Sequence, residues 1–529
     1  MTTESFRVGR KSRIEWTRSE RLRRCSVDVK VSFLSVECPI PACDPTGQAR
    51  SSSRPVNNQR TNRQMRISHG AALVAVTIAV LASCVHPRAR PLASSLTMPT
   101  PSLVLVQHVV SLDTQAYEPM ILEHPDGSLF VSGAGGPWGP TSDSVYHAQR
   151  GYWDSLRRDR LWTSRDDGAS WSPVNLGPSA VGAIGGSDMD IAAAPDGTLY
   201  YASMSWVDSI GEGRQIAIGI SHDVGATWKW TVLSTQRFDD RPWVRVAPDG
   251  TVHVIWNDGE GVQHVVSRDR GESWSQPSLV HLHAGSSHFA VGPNGELAVR
   301  LIPWAASHNF RNPGLDVIAV SIDAGMTWTF RPAPGDRDWG TWPVAAGHSR
   351  LADGAEAYTG DKAARRCCSG TAIRRWVEPV AWDGGGRLYS LWTDTTGVWL
   401  ARSADRGTTW NTWRIVEIRT PCFYPYLVAR GDGDLAATWH CGTGDALRWH
   451  AARITVGHSA AMPRVAQSTP LELDAFESDP TRKDAVRRAP AGEYLAVALL
   501  HDGTLGVVTP VQGPMRNGFT WWRFLIPKR

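Results

Sequence analysis

The sequence predicts an all-β fold, a β-propeller of four-stranded antiparallel blades, and three observations predict it. Seven hairpin-like segments recur about 45 to 90 residues apart. A turn written Ser-x-Asp-x-Gly-x-x-Trp follows five of them, as SRDDGASW (164–171), SHDVGATW (221–228), SRDRGESW (267–274), SIDAGMTW (321–328) and SADRGTTW (403–410). Around the turns apolar residues alternate with period two, which excludes helical repeats, whose apolar positions recur about every 3.6 residues.

The chain before the repeats divides into three parts. Residues 1–64 are rich in Arg, Ser and Thr without apolar periodicity, and are expected to be a non-globular leader or an over-extended start. Residues 65–83 read as an export signal: Arg66 precedes an uncharged apolar run from Ala71 to Ala82, which ends in small residues before Cys84. About 12 apolar residues are too few for a stable membrane span, which needs roughly 20. The segment LASC (81–84) resembles the lipobox of bacterial lipoprotein signals. That resemblance implies lipidation of Cys84 and an exported chain held at a membrane or cell surface by a lipid anchor alone; a simple secretory signal is the other reading. Residues 84–102 follow as a linker. Residues 1–83 hold 14 basic against 6 acidic residues, leaving 41 against 45 beyond them. The processed chain is slightly acidic, so no nucleic-acid partner is expected.

Residues 103–529 carry the repeats. MILEHPDGSLFVS, DIAAAPDGTLYYASMSW, WVRVAPDGTVHVIW, FAVGPNGELAVRLIPW, VAWDGGGRLYSLW and YLVARGDGDLAATW each set two alternating runs around a turn that needs positive φ. AVRRAPAGEYLAVALL, from 485, is a looser seventh copy. A third strand, the Trp-closed turn and a fourth strand complete the unit. Seven hairpins favour seven blades, with 103–111 free to pair with the last blade and close the ring; six blades is the alternative.

The five repeated turns have a structural explanation. Asp166, Asp223, Asp269, Asp323 and Asp405 accept backbone N–H groups across the turn, the glycine takes positive φ, and the indole packs beneath. Five further tryptophans, Trp206, Trp256, Trp304, Trp392 and Trp439, end the second strand of a blade. These aspartates are therefore read as structural.

The repeated turn resembles the Asp-box, or bacterial neuraminidase repeat, of sialidases and related propellers, and the resemblance covers roughly residues 103–526. It implies the propeller fold and a glycan or glycoconjugate partner, with no cofactor. Sialidases of this kind have six blades and an Arg-Ile-Pro entry to the first. They place three arginines on the substrate carboxylate, with a tyrosine nucleophile assisted by glutamate and an aspartate as acid/base. Here the first hairpin is entered by YEPM (117–120), with Glu118 where that arginine would stand.

The long insertions, 134–158, 205–214, 303–315 and 333–376, all fall on the face opposite the turns, which marks the insertion face for binding. The innermost strand of each blade starts on that face. Seven residues before the hairpin turns stand Glu118, Asp188, Arg241 and Tyr424, with Asp190, Asp240 and Glu378 within two positions of that level. A polar pocket at the channel mouth follows, in which Glu118, Asp188, Asp240 and Arg241 bind ligand. Asp190 and Glu378 do acid/base work there, and Tyr424 stacks or attacks. The alternative is a solvated mouth whose carboxylates pair with Arg241 or hold a structural cation. Two function classes remain open: an exported glycoside hydrolase of the exo-sialidase type, or a non-catalytic propeller binding glycan, peptide or a partner protein.

His281, His283 and His288 alternate on a strand with no carboxylate nearby in sequence, so they are read as core or surface residues and no metal site is expected. Cys422 and Cys441 fall opposite each other about a Gly-Asp-Gly-Asp turn, and an exported chain is expected to bond them. The spacing of Cys367 and Cys368 leaves their pairing open.

Overall fold

A computed structural model describes residues 102–134, 159–177, 186–207, 212–303 except 283, 317–334, 378–474 with breaks at 394–395, 419, 421 and 443–445, 494–511 and 517–526. The leader, the export signal, Cys84, the linker up to residue 101, Cys367 and Cys368 lie outside the described residues.

The described residues form 28 strands, numbered in chain order, in seven four-stranded antiparallel sheets. Six sheets are meanders. Their first strands are β2 (Tyr117–Glu123), β6 (Gly186–Ala193), β10 (Asp240–Val246), β14 (Ala284–Val291), β18 (Val380–Trp382) and β22 (Cys422–Arg430). The first strands of successive blades touch one another around the ring and so line its axis. The seventh blade combines β26 (Val497–Leu499), β27 (Leu505–Pro510) and β28 (Asn517–Leu525) with β1 (Val104–Gln115), which pairs antiparallel to β28 on the outside. Both ends of the propeller thus share one sheet, and each β28 group facing outward has a partner on β1 instead of a bare edge.

The seventh hairpin turns later than its sequence suggested. The turn is Leu500–Gly503, and the run expected as the second strand supplies the first, Val497–Leu499; the Pro-Ala-Gly at 490–492 lies outside the described residues. The reason lies in turn chemistry. Asp502 accepts the Thr504 N–H at 2.9 Å and Gly503 takes φ 84°, repeating what Asp126 with Ser128, Asp196 with Thr198 and Asp249 with Thr251 do in the first three blades. Pro-Ala-Gly has no side-chain acceptor to make that bond.

The five Trp-closed turns are nearly superimposable in their bonding. In the first, the Ser164 hydroxyl donates to Asp166 Oδ1 at 2.8 Å and accepts the Gly168 N–H at 2.8 Å. Asp166 Oδ1 also accepts the Ser170 N–H at 2.9 Å. These bonds favour the charged form, and the Ser170 hydroxyl first among them lowers the Asp166 carboxyl below its usual range. Each turn holds two consecutive left-handed residues, Asp167 (φ 58°) and Gly168 (φ 85°) in this copy. Gly168 is required twice over, because a Cβ there would also lie 2.1 Å from the Trp521 indole of the seventh blade. The turn therefore seats one blade on its neighbour as well as linking two strands.

The core lies between blades. Trp162, Trp243, Trp256, Trp439, Trp449 and Trp521 are all fully buried, packed with branched aliphatic residues from facing sheets. In the sixth blade Cys422 and Cys441 are register partners on β22 and β23 (Asp434–Cys441) and are disulfide-bonded, with Cα atoms 4.1 Å apart.

Candidate functional site

The mouth of the central channel is shaped by a repeated irregularity. Five first strands slip register at the same level: between Tyr117 and Met120, Gly186 and Met189, Asp240 and Trp243, Ser286 and His288, and Phe423 and Tyr426. A bulge of this kind bends the strand and re-aims one side chain. In three blades the residue within the bulge is Glu118 (φ 46°), Arg241 (φ 50°) or Tyr424 (φ 51°), and each is buried. All three precede proline, namely Pro119, Pro242 and Pro425. Left-handed backbone costs a non-glycine residue about 1 to 3 kcal/mol, and a following proline normally pushes its predecessor to extended conformations. Glu378 also precedes a proline, Pro379, and is buried just before β18.

Asp188 and Asp240 complete this level. Both are half-buried. Asp240 Oδ1 accepts the Arg241 N–H at 2.9 Å, which helps hold the bulge. Burial pushes the Asp188 carboxyl above its usual range, against the pull of the neighbouring Arg241 guanidinium. The Tyr424 ring stands edge-on to Phe423 at 5.1 Å. Glu118, Asp188, Arg241 and Tyr424 therefore hold equivalent positions in blades one, two, three and six.

Asp190 and Glu378 are differently placed. Asp190 lies two residues deeper along β6, where Oδ2 pairs with the Arg245 guanidinium and accepts the Val244 N–H at 3.0 Å. Glu378 Oε2 meets Arg300 Nη2 at 2.8 Å, on the second strand of the fourth blade, β15 (Leu297–Pro303). Both carboxylates are almost wholly buried, and each is committed to an arginine of an adjacent blade.

Just beneath the mouth the channel is filled. Trp243 of the third blade meets Tyr494 of the seventh at 5.2 Å, and His288 of the fourth meets Tyr426 of the sixth at 5.2 Å. Contacts between blades so far apart around the ring cross the axis, so side chains close the channel just beneath this level. His288 is thus a packing residue between Trp243 and Tyr426, and His281 packs edge-on against Phe330, while His283 lies outside the described residues. Sequence reasoning missed the closed channel, although period two along each first strand signals it. Two residues beyond Glu118, Asp188, Arg241 and Tyr424 stand Met120, Asp190, Trp243 and Tyr426.

At the opposite end, on the turn face, a cavity of about 470 Å³ opens within a ring that includes Pro125, Pro195, Pro248, Pro293, Trp382 and Arg430. It is apolar and lies away from the mouth residues. Convergent polar groups favour the mouth as the ligand site, because ligand sites need those groups for orientation.

No family profile matches the chain, and no curated protein matches it. Solved structures resemble it in fold. A protein of unknown function from Dyadobacter fermentans is 11% identical over 81% of this chain and 100% of its own, with a TM-score of 0.41. The phage phi92 endosialidase is 13% identical over 80% and 69%, with a TM-score of 0.43. The polysaccharide lyase Uly1 is 10% identical over 80% and 99%, with a TM-score of 0.42. The described residues form an all-β, seven-bladed propeller of four-stranded antiparallel sheets.

Proposed function

We propose that this chain is an exported propeller that binds glycan at its channel mouth. The observation that carries the reading is the set of pre-proline bulges that hold Glu118, Arg241 and Tyr424 in left-handed backbone at one level of three blades. Unlike the left-handed residues of the Trp-closed turns, which the turn itself requires, these stand within strands, where such strain serves to aim a side chain. Arg241 and the carboxylates of Glu118, Asp188 and Asp240 supply hydrogen bonds suited to sugar hydroxyls, and Tyr424 supplies a ring face. Export and a lipid anchor at Cys84 belong to the same proposal.

Binding without hydrolysis is the favoured form. The two carboxylates expected to do acid/base work, Asp190 and Glu378, are buried and bonded to Arg245 and Arg300 of adjacent blades, so both are engaged within the ring and not presented to a ligand. A hydrolase of the exo-sialidase type is the second reading, with Tyr424 attacking and Asp188 as the raised carboxyl beside it in role.

The test screens sialylated and neutral glycans for binding and for release of reducing sugar, using the wild type, Arg241→Ala and Tyr424→Phe. Binding that both substitutions weaken at least tenfold, with melting temperature unchanged, is the expected result. Wild-type affinity in both variants would move the site elsewhere. Turnover lost in Tyr424→Phe would favour the hydrolase.

A further inference from the structure

Three bulges hold a buried residue in left-handed backbone before a proline, and each needs its strand gripped on the mouth side, because a residue before proline otherwise returns to extended backbone. The grip differs from blade to blade. In the third blade Asp240 pairs with Asn257 above the bulge, and its carboxylate accepts the Arg241 N–H at 2.9 Å. Asn257 Oδ1 in turn accepts the Ser286 N–H of the fourth blade at 2.7 Å. In the first blade β1 ends at Gln115 and β2 begins at Tyr117, and Ala116 between them lies so close to Gly133 that a Cβ on the glycine would come within 2.9 Å of the Ala116 Cβ.

The sixth blade uses a different device. Its strand β22 starts at Cys422, two residues before Tyr424. The residue next to Tyr424 is Phe423, whose side chain carries no acceptor for the N–H that follows it. Two rungs stand above this bulge: Phe423 opposite His440, with the rings stacked at 5.5 Å, and Cys422 opposite Cys441, joined by the disulfide. Thr393 Oγ1, at the end of β19 (Leu388–Thr393) in the fifth blade, donates to the Cys422 carbonyl at 2.7 Å and ties the same rung to the neighbouring sheet. Below the bulge the ladder resumes with Tyr426 opposite Thr438.

We propose that the Cys422–Cys441 disulfide is a positioning device for Tyr424: by closing the short mouth end of the β22–β23 pair, it keeps Tyr424 in left-handed backbone and so fixes where its side chain stands. The consequence for ligand rests on the mouth being the binding site; the backbone consequence does not.

A disulfide that only shortens a loop of the unfolded chain contributes the same stability whatever residue stands at 424, whereas one that restrains Tyr424 does not. Tyr424→Gly supplies the comparison, since glycine takes left-handed backbone without steric cost. The experiment measures denaturant unfolding of wild type, Cys422→Ala with Cys441→Ala, Tyr424→Gly and the triple variant, all without ligand. With tyrosine at 424, loss of the disulfide is partly offset as the residue relaxes to extended backbone; with glycine there is no strain to release. The loss should therefore be larger in the Tyr424→Gly background, by about 5- to 150-fold in the unfolding constant. Losses equal within about twofold, the scatter of independent sites, would overturn the proposal. If the double alanine variant does not fold, the same cycle is run on oxidised and thiol-reduced protein, which removes no side chain. Glycan affinity, read well below the melting temperature, should fall about tenfold or more in the double alanine variant and stay at the wild-type level in Asp405→Ala, which weakens a distant turn. A coupled cycle with unchanged affinity, or with no glycan bound by wild type, upholds the clamp and counts against the mouth reading alone.

Discussion

Replacing Glu378 by Gln tests whether this carboxylate is a structural partner or a ligand group. Arg300 is wholly buried, and its Nη1 donates to the carbonyls of Leu301 at 3.0 Å and Val317 at 3.1 Å, so the guanidinium cannot swing out to water when its carboxylate is neutralised. Ser287 Oγ donates to the Glu378 carbonyl at 2.9 Å, which fixes the other side of the pair. Breaking a buried ion pair from one side costs about 3 to 5 kcal/mol, whereas replacing both members with apolar groups of similar volume is often neutral. For a propeller of roughly 430 residues the unfolding entropy is about 0.9 kcal/mol per degree, so Glu378→Gln should melt about 3 to 5 °C lower. The double substitution Arg300→Met with Glu378→Leu should recover most of that. The assay is thermal unfolding by circular dichroism, run beside glycan binding. A Glu378→Gln protein that melts like wild type but no longer binds would refute the structural reading and restore Glu378 to the ligand site.

Three further outcomes are expected. His253 and His264 stack with Nδ1 and Nε2 3.1 Å apart, and burial pushes them down to about 4 and about 3. Both are depressed below the unfolded value, so stability should fall as pH drops below about 6.5, by about 1.4 kcal/mol per pH unit for each uncharged ring, and the acid limb should be shallower in His264→Gln. Removing the disulfide with Cys422→Ala and Cys441→Ala frees a loop of sequence separation 19 and should cost about 3 kcal/mol, read by denaturant unfolding. Asp405→Ala should lose its turn bonds to Ser403 and Thr409, lowering stability by about 1 kcal/mol while glycan affinity stays at wild-type level.

What was determined locally was legible in the chain. A hairpin turn needs an Asx acceptor and a residue at positive φ within four positions, and the repeated Ser-x-Asp-x-Gly-x-x-Trp turn contains all its own bonding groups. Blade number, strand order and the opposition of Cys422 to Cys441 follow from such short-range patterns. Even the misplaced seventh hairpin was recoverable locally, since His501, Asp502 and Gly503 carry the signature that Pro490 to Gly492 lack. The level of Glu118, Asp188, Arg241 and Tyr424 could also be counted, because period two preserves depth along a strand.

Pairing between blades could not be counted. Whether Asp190 faces a ligand or Arg245, and whether Glu378 faces a ligand or Arg300, depends on how two sheets separated by 55 or 78 residues are set face to face. The axis contacts of Trp243 with Tyr494 and His288 with Tyr426 depend on closure of the whole ring. The bulges themselves were half-written: Glu-Pro, Arg-Pro and Tyr-Pro are visible in the sequence, but proline alone predicts an extended predecessor. Only the packed ring, holding the strand on both sides of each proline, decides that Glu118, Arg241 and Tyr424 take left-handed backbone.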